Sequence, residues 1–325
     1  MTENVALNPA PPNLPGLVWR PIGRDDLAAV VELARACLRA DGGLTFLFEP
    51  EVVQDRFFPD TPGAGIGAFD PDQHLGACVT VHLDGGVSPQ RATLAGYVRP
   101  DLRRQGLGTY LMRWGQAQAQ ALFTEAARDQ RLLRVATESL TEPAHRLYLA
   151  HGFASESEDW IMRRDLHQPL PDQPLPEGMT FATWQPDVAQ QFFQAYHAAF
   201  RERPGFPNPS AEQWIDGVNG NDLVTESTLL VREGNQPLGF VIGALDLTAS
   251  PPGGYVAQIG VVPAARRRGL ASALMVESLR RMQAAGARYA DLQVYANNPG
   301  AIQAYAGVGF VTFGRRARYE RIAEQ

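Results

Sequence analysis

The sequence predicts an α/β fold repeated in two tandem copies, and three observations predict it. A loop of the form Arg-x-x-Gly-x-small opens an apolar helix twice, as Arg103-Arg104-Gln105-Gly106-Leu107-Gly108 and as Arg266-Arg267-Arg268-Gly269-Leu270-Ala271. A Tyr-x-x-x-Gly-Phe ending follows each loop, at Tyr148 with Gly152-Phe153 and at Tyr305 with Gly309-Phe310. The register is kept: Gly106 and Gly269 are 163 residues apart, and both the tyrosine and the phenylalanine pairs are 157 apart. A period this long is a whole domain, not a solenoid unit.

The elements can be justified in order. Residues 1–16 carry Pro9, Pro11, Pro12 and Pro15 and read as an extended tail. Val18-Trp19-Arg20 is a short strand. Asp25 to Leu38 is a helix, with Leu27, Val30, Val31, Ala34 and Leu38 on one face. Strands are expected over Leu75–Leu83 and Ala92–Val98, the second running into the first loop. A helix from Gly108 to Phe123, a strand from Leu132 to Thr137 and a helix carrying Tyr148 follow. Pro169, Pro171, Pro174 and Pro176 then interrupt both helix and ladder and mark a linker, 167–176. The order repeats: strand Met179–Thr183, and helix Asp187–Phe200 with Val188, Phe192, Tyr196 and Phe200 inward. Next come strands Leu229–Arg232, Leu238–Leu247 and Tyr255–Val262, helix Ala271–Ala285, strand Tyr289–Tyr295 and a helix carrying Tyr305. Asp25 and Asp187 suit helix starts. The domains are therefore expected at 17–166 and 177–325. Strand, loop, helix, strand, helix is an α/β order.

Composition narrows the chemistry. A chain of 325 residues is long enough for two domains with separate cores. The net charge of −6 gives no general basis for binding nucleic acid or an anionic membrane. No apolar run approaches the roughly 20 residues that span a bilayer, and the start has no signal-peptide pattern. Cys37 and Cys78 fall in apolar runs and read as reduced and structural. These features point to the cytoplasm. All 29 basic residues are arginine. A Schiff-base lysine, a lysine base and the lysine of a Walker loop are therefore excluded. Arginine cannot replace them as a base, because it stays protonated.

A loop between a strand and a helix can bind a pyrophosphate. The helix start exposes unpaired backbone N–H groups and a partial positive charge. Gly106 and Gly269 let the backbone approach without a β-carbon, and Gly108 and Ala271 keep the first turn slim. Arg103, Arg104, Arg266, Arg267 and Arg268 can add charge-assisted contacts. Taken singly, such a loop is common at strand–helix turns, and three adjacent arginines often form a solvated helix end. The Gly-x-Gly-x-x-Gly dinucleotide pattern is absent.

With the tyrosines included, the order is similar to that of the GCN5-related N-acetyltransferase (GNAT) family. Its last motif, Asn-x-x-Ala-x-x-x-Tyr-x-x-x-Gly-Phe, is matched by Asn298, Ala301, Tyr305, Gly309 and Phe310. The first half has Thr141, Ala144, Tyr148, Gly152 and Phe153, with threonine in place of asparagine. The double-domain layout is similar to that of the mycothiol synthases within the family. Those enzymes carry a glutamate on the strand before the second loop; the matching positions here are Tyr255 and Ala92.

The resemblance implies two tandem GNAT-like domains, each a mixed twisted sheet flanked by helices, with acetyl-CoA as cosubstrate and a small-molecule primary amine as acceptor. It implies that pantetheine lies between two splayed strands. Ile259, Gly260 and Val261 would then face it, as would Gly96, Tyr97 and Val98. A backbone N–H aimed at the thioester oxygen would stabilise the charge that develops there. The pyrophosphate sites would be residues 103–109, including Gln105, Leu107 and Thr109, and residues 266–272, including Leu270 and Ser272, with Asn298 beside the second. Tyr305, and in the first half Tyr148, would protonate the departing thiolate. The general base stays open among Asp246, Asp291, His197 and a water relay. No metal, nucleic acid or membrane partner is expected. The chain is expected to be a monomer, with the two copies as an internal pseudo-dimer. The second half, with its intact asparagine, is expected to be the active one. Two alternatives stay open: a non-catalytic acetyl-CoA-binding module, and a protein lysine or N-terminal acetyltransferase.

Overall fold

The computed structural model describes residues 9–85, 89–123, 130–203, 205–220, 226–247 and 249–323. Part of the predicted tail, residues 1–8, lies outside them. The chain divides into two compact units. The first comprises Met1–Trp160 and Phe313–Gln325, and the second Ile161–Thr312.

The first unit opens with β1 (Val18–Pro21), α1 (Leu27–Asp41) and α2 (Pro50–Phe57). It continues through β2 (Gly63–Phe69), β3 (Leu75–Leu83), β4 (Arg91–Val98) and α3 (Leu107–Leu122). Then come β5 (Leu132–Thr137), α4 (Glu142–Ala150) and the start of β6 (Ala154–Asp165). Its sheet runs β1-β2-β3-β4-β5, and beside β5 lies the end of the last strand of the chain, β12 (Val311–Ile322). Only β4 and β5 are parallel among the pairs from β1 to β5; β12 is antiparallel to β5.

Period-two alternation gives this sheet two buried faces. Ala77, Val79 and Val81 of β3 join Ala92 and Leu94 of β4 in a core under α3, with Leu107, Leu111 and Trp114. Cys78, Ala95 and Tyr97 point the other way, into a core with Val30, Ala34 and Cys37 of α1 and Phe57 of α2. Both cysteines are free thiols, and burial pushes Cys37 up to about 11 and Cys78 to about 12. They stay protonated and inert at neutral pH.

The second unit takes up the end of β6 and then β7 (Met179–Thr183), α5 (Ala189–Phe200), α6 (Ala211–Gly220), β8 (Leu229–Glu233) and β9 (Gln236–Asp246). It ends with β10 (Gly253–Val261), α7 (Leu270–Ala284), β11 (Tyr289–Tyr295) and α8 (Pro299–Gly307). Its strands run β7-β8-β9-β10-β11-β6, with β10 and β11 parallel. Phe192 and Tyr196 of α5 pack with Trp214 of α6 on Leu230, Phe240 and Ile242. Tyr196 and Trp214 stack at 4.7 Å between ring centroids.

The observed units depart from the linear halves 17–166 and 177–325 at their ends. β12 belongs by sequence to the second half but completes the first sheet, pairing Ala317–Ile322 with Thr137–Leu132. Tyr319, at its centre, is fully buried in the first core. Conversely, Arg163 of β6 pairs with Asp291 of β11 in the second unit. The proline stretch forms neither helix nor strand and is held to the second unit: the Arg164 guanidinium donates to the Pro169 carbonyl at 2.6 Å. Among the described residues no helix is long and apolar enough to cross a membrane.

Candidate active site

Each unit has one place where neighbouring parallel strands part. β4 pairs with β5 only from Arg91–Leu132 to Leu94–Val135. β10 pairs with β11 only from Gly253–Tyr289 to Val256–Leu292. Beyond these points β4 and β10 keep their antiparallel partners, β3 and β9, on the other side. The facing edge is left without a ladder, so its N–H and C=O groups can bond an extended ligand containing amides. In β10 a bulge marks the parting. Its register against β9 shifts between Val256 and Gln258, whereas β4 runs against β3 without a shift. An extra residue bends a strand, which accounts for β10 turning from β11 there.

The two loops share one backbone conformation. Arg104 and Arg267 both have φ 66°, while Gly106 and Gly269 have φ 83° and 79°. A Cβ built at Gly106 or Gly269 would meet no atom within 4 Å. Glycine there answers to the left-handed torsion and to open approach, not to internal packing. The first intrahelical bonds are Tyr110 N–H to Gly106 C=O and Ala273 N–H to Gly269 C=O, both 3.0 Å. The N–H groups of residues 107–109 and 270–272 therefore have no intrahelical acceptor, as a bound anion requires.

The clefts contain most of the expected residues. In the first unit a cavity of about 950 Å³ is lined by Gly96, Tyr97, Val98, Arg103, Arg104, Gly106, Leu107, Gly108, Thr109 and Tyr148 among others. In the second, about 270 Å³ is lined by Ile259, Gly260, Val261, Arg266, Ala271, Ser272 and Tyr305 among others. Gln105, Arg267, Arg268 and Gly269 are exposed on the loops, and Leu270 is buried as an anchor of α7. Sequence reasoning missed Cys37 and Asp41 in the first cleft and Ala199, Phe200 and Met275 in the second. The apolar periodicity of the first helix in each half was the available signal for Cys37, Ala199 and Phe200.

Two sets of expected binding side chains also have partners within the protein. The first arginine of each loop does not offer its guanidinium freely to a phosphate. Arg103 pairs with both carboxylate oxygens of Asp41 at 2.7 Å and donates through Nε to the Val98 carbonyl at 3.1 Å. Arg266 donates to the carbonyls of Val261 and Ala199, each at 3.2 Å. Both tie the loop to the parting strand and to the first helix of the unit. We expect Asp41→Ala to cost about 2–4 kcal/mol of stability in urea unfolding, since it leaves a part-buried guanidinium unpaired. Likewise, Asn298 spends its side chain on α8, where Oδ1 accepts from the Ala301 N–H at 3.2 Å. Thr141 Oγ1 does the same for Ala144 on α4, at 3.3 Å. Threonine and asparagine are interchangeable as helix caps, so this difference does not distinguish the two halves.

The tyrosines do distinguish them. Tyr148 is buried, and that burial pushes its phenol up to about 12. Its ring packs on Tyr319, whose hydroxyl meets His145 Nδ1 at 2.5 Å. Tyr305 is half-buried and lines its cleft, with no hydrogen bond from its hydroxyl to a described residue. Burial raises its phenol too, partly offset by the charge of Arg203.

The candidate bases lie elsewhere. Asp291 is held at 2.7 Å on both oxygens by Arg163, and burial raises its carboxyl despite that partner. Asp246 caps a turn by accepting from the Ala249 N–H at 2.9 Å. His197 Nε2 lies 3.0 Å from Asn208 Oδ1. Tyr255 stands opposite Ala244 and Asp291 within the sheet, and Ala92 is fully buried. For a metal, Asp70, Asp72 and His74 bring ligand atoms within 4.8 Å of one another on the β2–β3 turn. Asp70 is already engaged there by Arg99 at 2.9 Å and by the His74 N–H.

Comparison with known proteins places this geometry. Residues 189–310 match the acetyltransferase (GNAT) family, and residues 64–155 match an acetyltransferase (GNAT) domain. A mycothiol acetyltransferase of a Nocardioides species is 29% identical over 303 residues, covering 88% of this chain and 94% of the relative. One from Catenulispora acidiphila is 27% identical and covers 94% and 98%. Among solved structures, a GCN5-related N-acetyltransferase from Sphaerobacter thermophilus aligns with TM-score 0.68 and 25% identity, over 96% of this chain and 97% of that one. A tandem GNAT protein of the clavulanic acid biosynthesis pathway shares the fold, with TM-score 0.60, 17% identity and coverage of 95% and 99%.

Proposed function

Because the chain belongs to the GNAT acetyltransferase family and carries two of its domains in tandem, we propose that it moves the acetyl group of acetyl-CoA to the primary amine of a small molecule, with the chemistry in the second unit. The observation that carries this reading is the meeting in one cleft of an open strand edge, an unpaired helix start and the hydroxyl of Tyr305, which bonds no described residue.

Acetyl-CoA, when bound, supplies the activated acetyl thioester; this chain's residues bind, orient and protonate. The N–H groups of residues 270–272 and the exposed Arg267 and Arg268 receive the pyrophosphate. Ile259, Gly260 and Val261 offer backbone groups to the pantetheine. Gly260 is packed closely: a Cβ there would come within 3.0 Å of Ala199 and 2.9 Å of Phe240, so the strand sits hard against α5. As the amine forms the new C–N bond and the C–S bond breaks, Tyr305 gives its proton to the leaving thiolate. Burial holds that phenol above its ordinary value, so the proton stays in place across the neutral range. A water relay is the route in this reading for the proton of the attacking amine.

The first unit, with the same loop and the larger cleft, also holds CoA in this reading. Its Tyr148 is buried against Tyr319 and is the poorer donor. Relatives named mycothiol acetyltransferase make the amine precursor of mycothiol the first acceptor to assay. Where the resemblance leads one to expect a glutamate, Tyr255 stands instead, so the acceptor need not be shared. Titration calorimetry with CoA and acetyl-CoA tests the binding part. We expect two sites per chain, at least one of them of micromolar affinity. No binding up to millimolar ligand would sink the proposal.

A further inference from the structure

α5 ends at Phe200, and residues 201–203 and 205–208 fold back against it. The Arg203 N–H donates to the Phe200 carbonyl at 2.9 Å, and the Phe206 N–H to the Arg203 carbonyl at 3.1 Å. The contact between His197 and Asn208 closes the loop. These bonds shape a hollow of about 670 Å³, lined by His197, Arg201, Glu202, Arg203, Phe206 and Asn208.

The hollow is linked to the acetyl-transfer cleft through Arg203. Its guanidinium carbon stands 5.0 Å from the centroid of Phe200, a ring that lines the cleft, and 5.9 Å from that of Tyr295 at the end of β11. The same charge reaches Tyr305, where it opposes the effect of burial. Arg103 and Arg266 are tied to protein oxygens, but the Arg203 guanidinium has no ion pair or hydrogen bond to a described residue. It is a planar cation laid on aromatic faces, and no described residue accepts from its N–H donors. Such a group is preorganised for a carboxylate or phosphate and loses little freedom on binding one.

We propose that Arg203 is a specificity residue for the acceptor, binding an anionic group, carboxylate or phosphate, carried by the amine substrate. This rests on the assignment of acetyl transfer to the second unit. Anchored there, the far end of the acceptor is held in the hollow while its amine reaches the thioester past Phe200. Arg201 and Arg203 outweigh Glu202 in the hollow, so its balance favours an anion.

Matched pairs of small amines test the proposal: β-alanine against β-alaninamide for a carboxylate, and O-phosphoethanolamine against ethanolamine for a phosphate. Each is titrated calorimetrically into the full chain, with and without CoA. At least one anionic member should bind about tenfold or more tightly than its neutral counterpart, and the pair that shows this identifies the group. Arg203→Ala should remove the preference, and Arg203→Lys should restore part of it. Raising the salt concentration should shrink it. Equal binding within both pairs, binding of none of the four amines, or a preference that survives Arg203→Ala would each overturn the proposal. Acetyl-CoA is titrated in parallel. Its failure to bind the wild type would refute the transfer reaction, whereas the preference for anions is read independently of it.

Discussion

Gly269→Asp is expected to abolish acetyl transfer, while Gly106→Asp leaves a substantial part of it. Both positions sit at the mouth of a helix start, with positive φ and no atom within 4 Å of the point where a Cβ would stand. An aspartate at either would project into the space assigned to the pyrophosphate and meet its charge at close range. The backbone strain is nearly the same at the two sites, about 1 kcal/mol, because their φ values differ by only a few degrees. A difference in activity between the variants therefore reports which unit performs the chemistry. Asparagine tolerates the left-handed region as aspartate does, but without the charge. Gly269→Asn should accordingly retain more activity than Gly269→Asp. The measurement is steady-state turnover over an amine library, after circular dichroism has shown each variant folded. Loss of activity in Gly106→Asp alone would place the reaction in the first unit.

Tyr305→Phe should lower turnover about 100-fold and change the KM for acetyl-CoA no more than about threefold. The hydroxyl acts on the leaving thiolate, so its loss is felt in the transition state and little in ground-state binding. The ring, 6.2 Å from Phe310 between centroids, keeps its packing in the variant. Tyr148→Phe should barely change turnover, because that ring is buried against Tyr319 in the unit assigned no chemistry. Turnover unchanged by Tyr305→Phe, measured where chemistry limits the rate, would return Tyr305 to a purely structural role.

Much of the fold was legible because its signals are local. The apolar stripe of α1 and the alternation in β3 and β4 depend on neighbours a few residues away. The helix starts at Leu107 and Leu270 follow from glycines placed just before them. The duplication was legible for the same reason: the two loops repeat not only in residue type but in backbone torsion, at Arg104 and Arg267 as well as at the glycines. Short elements with weak patterns were missed. β2 (Gly63–Phe69) has three glycines and two alanines in seven residues, and α2 and α6 span only two to three turns.

The chemistry was legible in part. The tyrosines and glycines were read from the motifs and the parting strands from the family resemblance; the side chains of Arg103 and Arg266, assigned to the ligand, bond protein oxygens in this structure. Arginine's fork serves a phosphate and a carboxylate equally well, so its residue type could not decide between them. The decision lay with Asp41, 62 residues before Arg103, and with the carbonyls of Ala199 and Val261. The contrast drawn between Thr141 and Asn298 likewise vanished once both were seen to cap a helix.

By itself, then, the sequence determined what is set by short-range torsion and periodicity: two α/β copies, two helix-opening glycine loops, and a tyrosine following each. Tertiary structure decided what depends on pairing across long stretches of chain. It took β12 into the first sheet and the end of β6 into the second unit, because the hydrogen bonds of an edge strand can be satisfied by any extended segment that reaches it. It also decided that Tyr148 is buried against Tyr319 while Tyr305 is half-buried at its cleft, since one motif in two surroundings gives a ring two different sets of neighbours.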